Sequence, residues 1–250
     1  MKKLTCLLLI VCLYASCNSE NAPDCLQTTG SIVQQTKEVP QFSKIRVNEG
    51  IHLVVKQGTT YEVQIQSGKN LINDIEAKVV DDRLILSNNN TCNLFRSYEN
   101  TTAFVTVPNL IEIRSSTQFD VRSDGVLNFA DFTIISEDFA DTTAQSVGNF
   151  YLNLNCDEFR LVFNNLSNAF MEGTVGEASI EFESGNGRFE GENLLIENAT
   201  IFHRGTNDII INVTNSLQGD IVSTGNIIVV STPNQVAVSE LYRGRLIFRD

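Results

Sequence analysis

The residue with the clearest chemistry in this 250-residue chain is Cys17, which follows directly on Tyr14-Ala15-Ser16. Small residues ahead of a cysteine let an extended backbone enter a lipoprotein signal peptidase, and the thiol then takes a diacylglycerol. Upstream stand Met1-Lys2-Lys3 and an apolar run from Leu4 to Leu13, the basic start and hydrophobic middle of an export signal. That run is too short to cross a bilayer. Residues 1–16 therefore read as a lipoprotein signal peptide and Cys17 as the lipidation site, with ordinary cleavage and a free thiol as the alternative. Acyl chains attached there would hold the protein on a membrane, each buried methylene contributing about 0.8 kcal/mol.

A second candidate set comes from stacking the sequence at a 20-residue period, which puts Glu183, His203 and Ser223 in one column flanked by Arg204 and Asp208. Strands about 4.8 Å apart would bring these groups within reach. Acid, imidazole and base on one face are what acid–base work on a polysaccharide uses. A solvated face produces similar columns, and no nucleophile elbow accompanies this one. Glu183, His203, Arg204 and Asp208 are therefore carried as a candidate ligand face, no residue is assigned as catalytic, and a carbohydrate-active lyase or hydrolase is kept as the alternative to a binding module. Exposed tyrosines (Tyr61, Tyr98, Tyr151, Tyr242) offer rings on which sugars stack. Asp141-Thr142-Thr143 fits a bacterial O-glycosylation pattern, making Thr142 a candidate acceptor. No cofactor is expected. No metal site is expected either, since CxxC is absent and the two histidines, His52 and His203, are isolated.

Of six cysteines, Cys6 and Cys12 leave with the signal, and Cys25, Cys92 and Cys156 remain beside Cys17. An exported compartment permits disulfides. Cys25 and Cys92 both sit in polar, turn-rich stretches and are paired on that ground. Cys156, in the alternating run Leu152-Asn153-Leu154-Asn155-Cys156, reads as a small half-buried residue. Removing residues 1–16 leaves 16 basic against 30 acidic side chains, a net charge of −14. Such a chain excludes nucleic acid as a partner, because phosphates demand clustered Lys and Arg.

The elements that must position these residues are short β-type runs punctuated by Gly and Asn. Asn165, Gly185, Gly205 and Gly225 stand 20 apart, with Val162, Phe182, Phe202 and Val222 three residues before them and Ala169, Phe189, Ile209 and Val229 four after. Repeats of this length mean stacked units, each burying its inward face on the next. The same offsets recur at Val47-Gly50-Val54 and Leu241-Gly244-Phe248. A helix would show offsets of 3 and 7 as well, but Val-, Ile-, Phe- and Thr-rich runs with central Gly, each costing a helix about 1 kcal/mol, argue for strands. Gly50, Asn165, Gly185, Gly205, Gly225 and Gly244 are then turn residues tolerant of positive φ. Asn164, Asn165, Asn168, Asn186, Asn207 and Asn226 are expected to form amide ladders. Lys69–Lys78 is the one candidate for a helical turn. An open ladder templates aggregation, so Lys37–Phe42 and Glu240–Asp250 are expected to cover the two ends.

Phe42–Gly58, Asn70–Glu76 and the stretch from Gly185 through Gly225-Asn226-Ile227 together resemble the auto-transporter adhesin head GIN domain family of secreted Bacteroidetes-type proteins, over about Gly30 to Asp250. The family's Gly-Ile-Asn is Gly50-Ile51-His52 here. The resemblance implies an all-β, right-handed single-stranded β-helix and a surface or periplasmic lipoprotein of undefined activity, at the outer membrane or cell surface with a periplasm-facing orientation as the alternative; the family's name suggests adhesion. Autotransport is not expected, for the run ending Leu246-Ile247-Phe248-Arg249-Asp250 contains no membrane barrel. The organisation expected is signal peptide 1–16, polar tether 17–29 and β-solenoid 30–250. Its partners would be the membrane through the N-terminal lipid and a glycan or another envelope protein.

Overall fold

The computed structural model describes residues 24–90, 92–94, 101–139 and 145–249. Residues 1–16, expected as a signal peptide, lie outside them, as do Cys17, Tyr98 and Thr142. The described chain is all-β, without an α-helix, and its strands join in one sheet. In chain order they are β1 (Ile32–Lys37), β2 (Lys44–Val47), β3 (His52–Gln57), β4 (Glu62–Gly68), β5 (Ile75–Val80), β6 (Arg83–Asn88) and β7 (Thr102–Val107). There follow β8 (Glu112–Ser115), β9 (Val121–Leu127), β10 (Asp131–Ser136) and four long strands, β11 (Phe150–Phe163), β12 (Ala169–Phe182), β13 (Phe189–His203) and β14 (Ile209–Ile221). The last are β15 (Ile227–Val229), β16 (Gln235–Glu240) and β17 (Leu246–Phe248). Within Lys69–Lys78 only Ile72–Asp74 is helical, as a single 3-10 turn, and β5 begins directly after it.

From β9 onward every pairing is parallel, and the partner lies 17–21 residues away along the long strands: Phe150 opposite Ala169, Ala169 opposite Phe189, Phe189 opposite Ile209, Ile209 opposite Ile227 and Ile227 opposite Leu246. The first half of β11 pairs with β9 and its second half with β10. The long strands therefore bend mid-way and contribute to two faces. One face runs β6, β2, β8, β10 and the second halves of β11–β14 to β16; the other runs β7, β3, β9 and the first halves of β11–β14 to β15 and β17.

Alternation explains both the strands and the bend. In β11 the inward residues are Phe150, Leu152, Leu154 and Cys156, then Phe159, Leu161 and Phe163. The parity changes across Asp157-Glu158, two adjacent exposed residues. Side chains on a strand alternate between faces, so two polar neighbours in succession mark the place where the chain turns a corner. Between the faces lies a continuous core that includes the ring column Phe150, Phe163, Phe182.

The expected period is only approximate. Phe163, Phe182, His203 and Ile221 are the residues in register, at spacings of 19, 21 and 18. The inward column is therefore not Val162, Phe182, Phe202 and Val222, as a strict 20 would have it. A one-residue slip exchanges the two faces of a strand, and Val162 and Phe202 accordingly point outward and are half-buried.

One end of the ladder is closed by antiparallel strands, β4 on β7, β1 on β4 and β5 on β6. Lys37–Phe42 is only the link from that cover into the core, with Phe42 buried. Residues 25–29, expected as the end of a tether, are packed here: Cys25 is disulfide-bonded to Cys92, and the buried Gln27 donates from Nε2 to the Asn70 carbonyl at 2.9 Å. At the other end the described part of the expected cover Glu240–Asp250, residues 240–249, does not fold over the ladder, because β17 simply extends it on β15.

Candidate functional site

The corners between successive strands are built from side-chain amides. Asn168 Nδ2 donates to Asn149 Oδ1 at 2.9 Å while its Oδ1 accepts the Arg188 N–H at 3.0 Å. Asn226 Nδ2 donates to Asp208 Oδ1 at 2.9 Å, and Asn226 Oδ1 accepts the Arg245 N–H at 3.0 Å. A second ladder joins Asn198, Asn215 and Asn234 on the opposite corner. Each bond bridges one level of the ladder to the next, and the two accepted by Asn168 and Asn226 also satisfy the backbone N–H groups of Arg188 and Arg245, which a turn would otherwise leave free.

The glycines at these corners are explained in two different ways. Gly50 and Gly185 have φ of +81° and +85°, where a Cβ is strained. Gly205, Gly225 and Gly244 do not have positive φ, and Asn165 does not either. What excludes a side chain at Gly225 is proximity, for a Cβ there would lie 2.1 Å from the Asn207 carbonyl oxygen and 2.4 Å from His203 Nε2.

His203 is the reason the expected ligand face is not formed. Its register partners are Phe182 and Ile221, its ring is fully buried against Phe182, and Nε2 lies 2.9 Å from the Asn207 carbonyl oxygen. Burial holds the imidazole below its ordinary pKa, against the opposing pull of the Asn207 carbonyl and Asp208. Glu183 and Arg204 lie on the outside beside it, half-buried and exposed. Asp208 is a corner residue bonded to Asn226 and to Arg188. The four do not converge. Cys156 is also interior, and burial pushes its thiol up to about 11, so it stays protonated.

The outward side chains that do converge lie on the face carrying β9 and the first halves of β11–β13. Arg122, Tyr151, Phe170 and Glu190 occupy one outward register column. The Tyr151 ring is held between the Arg122 guanidinium, 4.0 Å from its centroid, and the Phe170 ring, 4.8 Å away and inclined by only 5°. Both Tyr151 faces are thus occupied, and the ring offered to a ligand is Phe170, which is 37% exposed. Around it opens a groove of about 470 Å³ lined also by Glu172, Glu190, Glu192 and Asn193. Glu172 accepts Asn153 Nδ2 at 2.8 Å, Glu190 pairs with Arg188 at 2.5 Å and Glu192 with Arg249 at 2.6 Å. Carboxylates held in this way keep spare lone pairs in fixed directions. The other tyrosines are placed less favourably. Tyr61 packs edge-on against Phe42 in the core, and Tyr242 lies exposed at the far end of the ladder.

Sequence reading singled out Tyr151 but missed Phe170, Arg122 and the glutamates. The signal that would have found them is the actual 19-residue offset between Tyr151 and Phe170, which a strict period of 20 hides. Among the described residues no group of three His, Cys, Asp or Glu side chains is placed to hold a metal ion.

Residues 41–233 match the model of the family described as "Putative auto-transporter adhesin, head GIN domain". The chain belongs to this family. In structure it is similar to a putative adhesin from Bacteroides fragilis NCTC 9343, at 22% identity and a TM-score of 0.79 over 89% of this chain and 99% of that one. It is similar also to a putative lipid binding protein from Parabacteroides distasonis ATCC 8503 (13% identity, TM-score 0.62, 89% and 99% covered) and a putative adhesin from Parabacteroides merdae ATCC 43184 (14%, 0.60, 89% and 98%). These likenesses establish the fold. No curated protein matches the chain in sequence.

Proposed function

We propose that this chain is an exported lipoprotein, anchored through Cys17 at the outer membrane or cell surface, that binds glycan through the groove around Phe170 and has no catalytic role. The observation that carries the reading is the Arg122–Tyr151–Phe170 stack bordered by oriented carboxylates and amides. An apolar ring packs against the C–H face of a sugar while neighbouring carboxylates accept its hydroxyl protons, the usual division of labour in a ligand groove. The supporting scaffold is a ladder of bonded strands that holds these side chains without a conformational change on binding. Its parallel returns every 17–21 residues support a single-stranded β-helix, and the general hand of parallel crossovers makes it right-handed.

Two measurements test this. Incorporation of labelled palmitate and membrane retention should both be lost in Cys17→Ser; label persisting in that variant would overturn the anchor. On a glycan array, Phe170→Ala and Glu172→Gln should each lose the signal of the wild-type protein while the far-UV spectrum is unchanged. An array on which both variants bind as the wild type does would sink the groove assignment.

A further inference from the structure

The two ends of the ladder are finished differently. At the closed end the outermost strands are antiparallel and polar, with Gln34, Gln35, Thr36 and Lys37 on β1 and Glu76 and Lys78 on β5. Polar and charged edges are how sheets resist pairing with other chains. At the opposite end β16 pairs only with β14, and β17 only with β15. β16 reads Gln-Val-Ala-Val-Ser-Glu and has no second neighbour among the described residues.

The core is open there as well. Val236 and Phe248 stand in register with the buried Leu217 and Val229 of the preceding level, yet are 44% and 49% exposed. Leu241 and Tyr242 at the turn between β16 and β17 are 65% and 55% exposed. An apolar patch of this kind beside an unpaired strand marks a contact surface.

Charge selects the occupant. From Gln235 to Asp250 there are three Arg against one Glu and one Asp, whereas the remaining chain carries 15 basic and 28 acidic residues. Two such molecules repel one another over most of their surface, and least at this end. We propose that the open end docks a second copy of the chain about a two-fold axis, β16 running antiparallel to the partner's β16. A two-fold axis normal to the face reverses strand direction, so the same edge serves both copies and the contact closes on itself. Val236, Val238 and Phe248 of the two copies, which continue the inward columns of β14 and β15, then complete one core, with Leu241 at its rim. The disulfide between Cys25 and Cys92 lies with the closed end, where Leu94 N–H bonds the Cys25 carbonyl and Gln27 bonds Asn70; a membrane anchor entering there leaves the open end free.

The test uses the full chain carrying Cys17→Ser, which keeps lipid-driven association out. Sedimentation velocity over a rising concentration series should show the mass of two chains, and Val236→Lys should return the mass of one with an unchanged far-UV spectrum. In parallel, hydrogen exchange of residues 235–240 should slow as wild-type concentration rises while β11–β13 stay constant, which needs no variant to fold. Phe170→Ala, which touches only the groove, should leave the dimer intact. A single-chain mass throughout, or a dimer indifferent to Val236→Lys, would overturn the proposal.

Discussion

His203 shows what one residue's inward turn does to a functional expectation. Its imidazole is buried, and desolvation lowers its pKa in the folded chain relative to the unfolded one. The neutral form is therefore the one the fold retains. The stability this contributes is present above the ordinary histidine pKa of about 6.5 and is lost as pH falls through and below that value, because the unfolded chain then binds the proton more readily. The urea midpoint of the wild type should accordingly fall more steeply between neutral and mildly acidic pH than that of His203→Gln, which accepts no proton there; parallel curves would contradict this. The corner glycines separate in the same residue-by-residue way. Gly185 combines φ +85° with a Cβ position 2.1 Å from the Asn165 carbonyl oxygen, while at Gly205 the nearest atom, His203 Cε1, lies at 3.2 Å. Gly185→Ala should cost about 2 kcal/mol or more and Gly205→Ala clearly less, a ranking that chemical denaturation reads directly.

Among the elements, the long strands and the cover at the closed end obey different rules. In β11 to β13 inward parity changes at Asp157-Glu158, Gly176-Glu177 and Glu197-Asn198, with a further change at Glu192-Asn193 in β13, whereas in β14 the three residues Thr214-Asn215-Ser216 separate the inward Val213 and Leu217 and parity is kept. These pairs could be recognised in the sequence once alternation was followed through each run instead of across a fixed period. The cover is harder to foresee, since β4 and β5 alternate much as the ladder strands do and only long-range pairing makes them antiparallel. Its attachment depends on Cys25–Cys92, which spans 67 residues. Loop-closure entropy assigns such a bond on the order of 4 kcal/mol. Cys25→Ser with Cys92→Ser, or a reductant in the assay, should therefore lower the thermal midpoint by several degrees. An unchanged midpoint would show that the cover holds without the bond.

For the whole molecule, the excess of acidic groups is spread over a surface on which ion pairs such as Lys56–Asp124 and Arg249–Glu192 are exposed. Surface pairs of this kind contribute roughly 0–1 kcal/mol each. Net repulsion consequently outweighs them at low ionic strength, and added salt, by screening it, should raise the thermal midpoint. A midpoint that fell with salt would mean that the pairs dominate instead.

By itself the sequence determined that the chain is all-β, that it repeats at about 20 residues and that amides and glycines occupy its corners, because alternation and turn chemistry are local properties; its likeness to the head GIN domain family lay in particular stretches, such as Phe42–Gly58 and Asn70–Glu76. It could also name Cys25 and Cys92 as partners, both standing in turn-rich surroundings. Only the tertiary structure decided which side chains share a face. Spacings of 19, 21 and 18 in place of 20 put His203 inside and away from Glu183, and brought Arg122, Tyr151 and Phe170 together outside. The physical reason is the two-residue period of a strand: an error of one residue in register, invisible in a repeat length, moves a side chain from solvent to core.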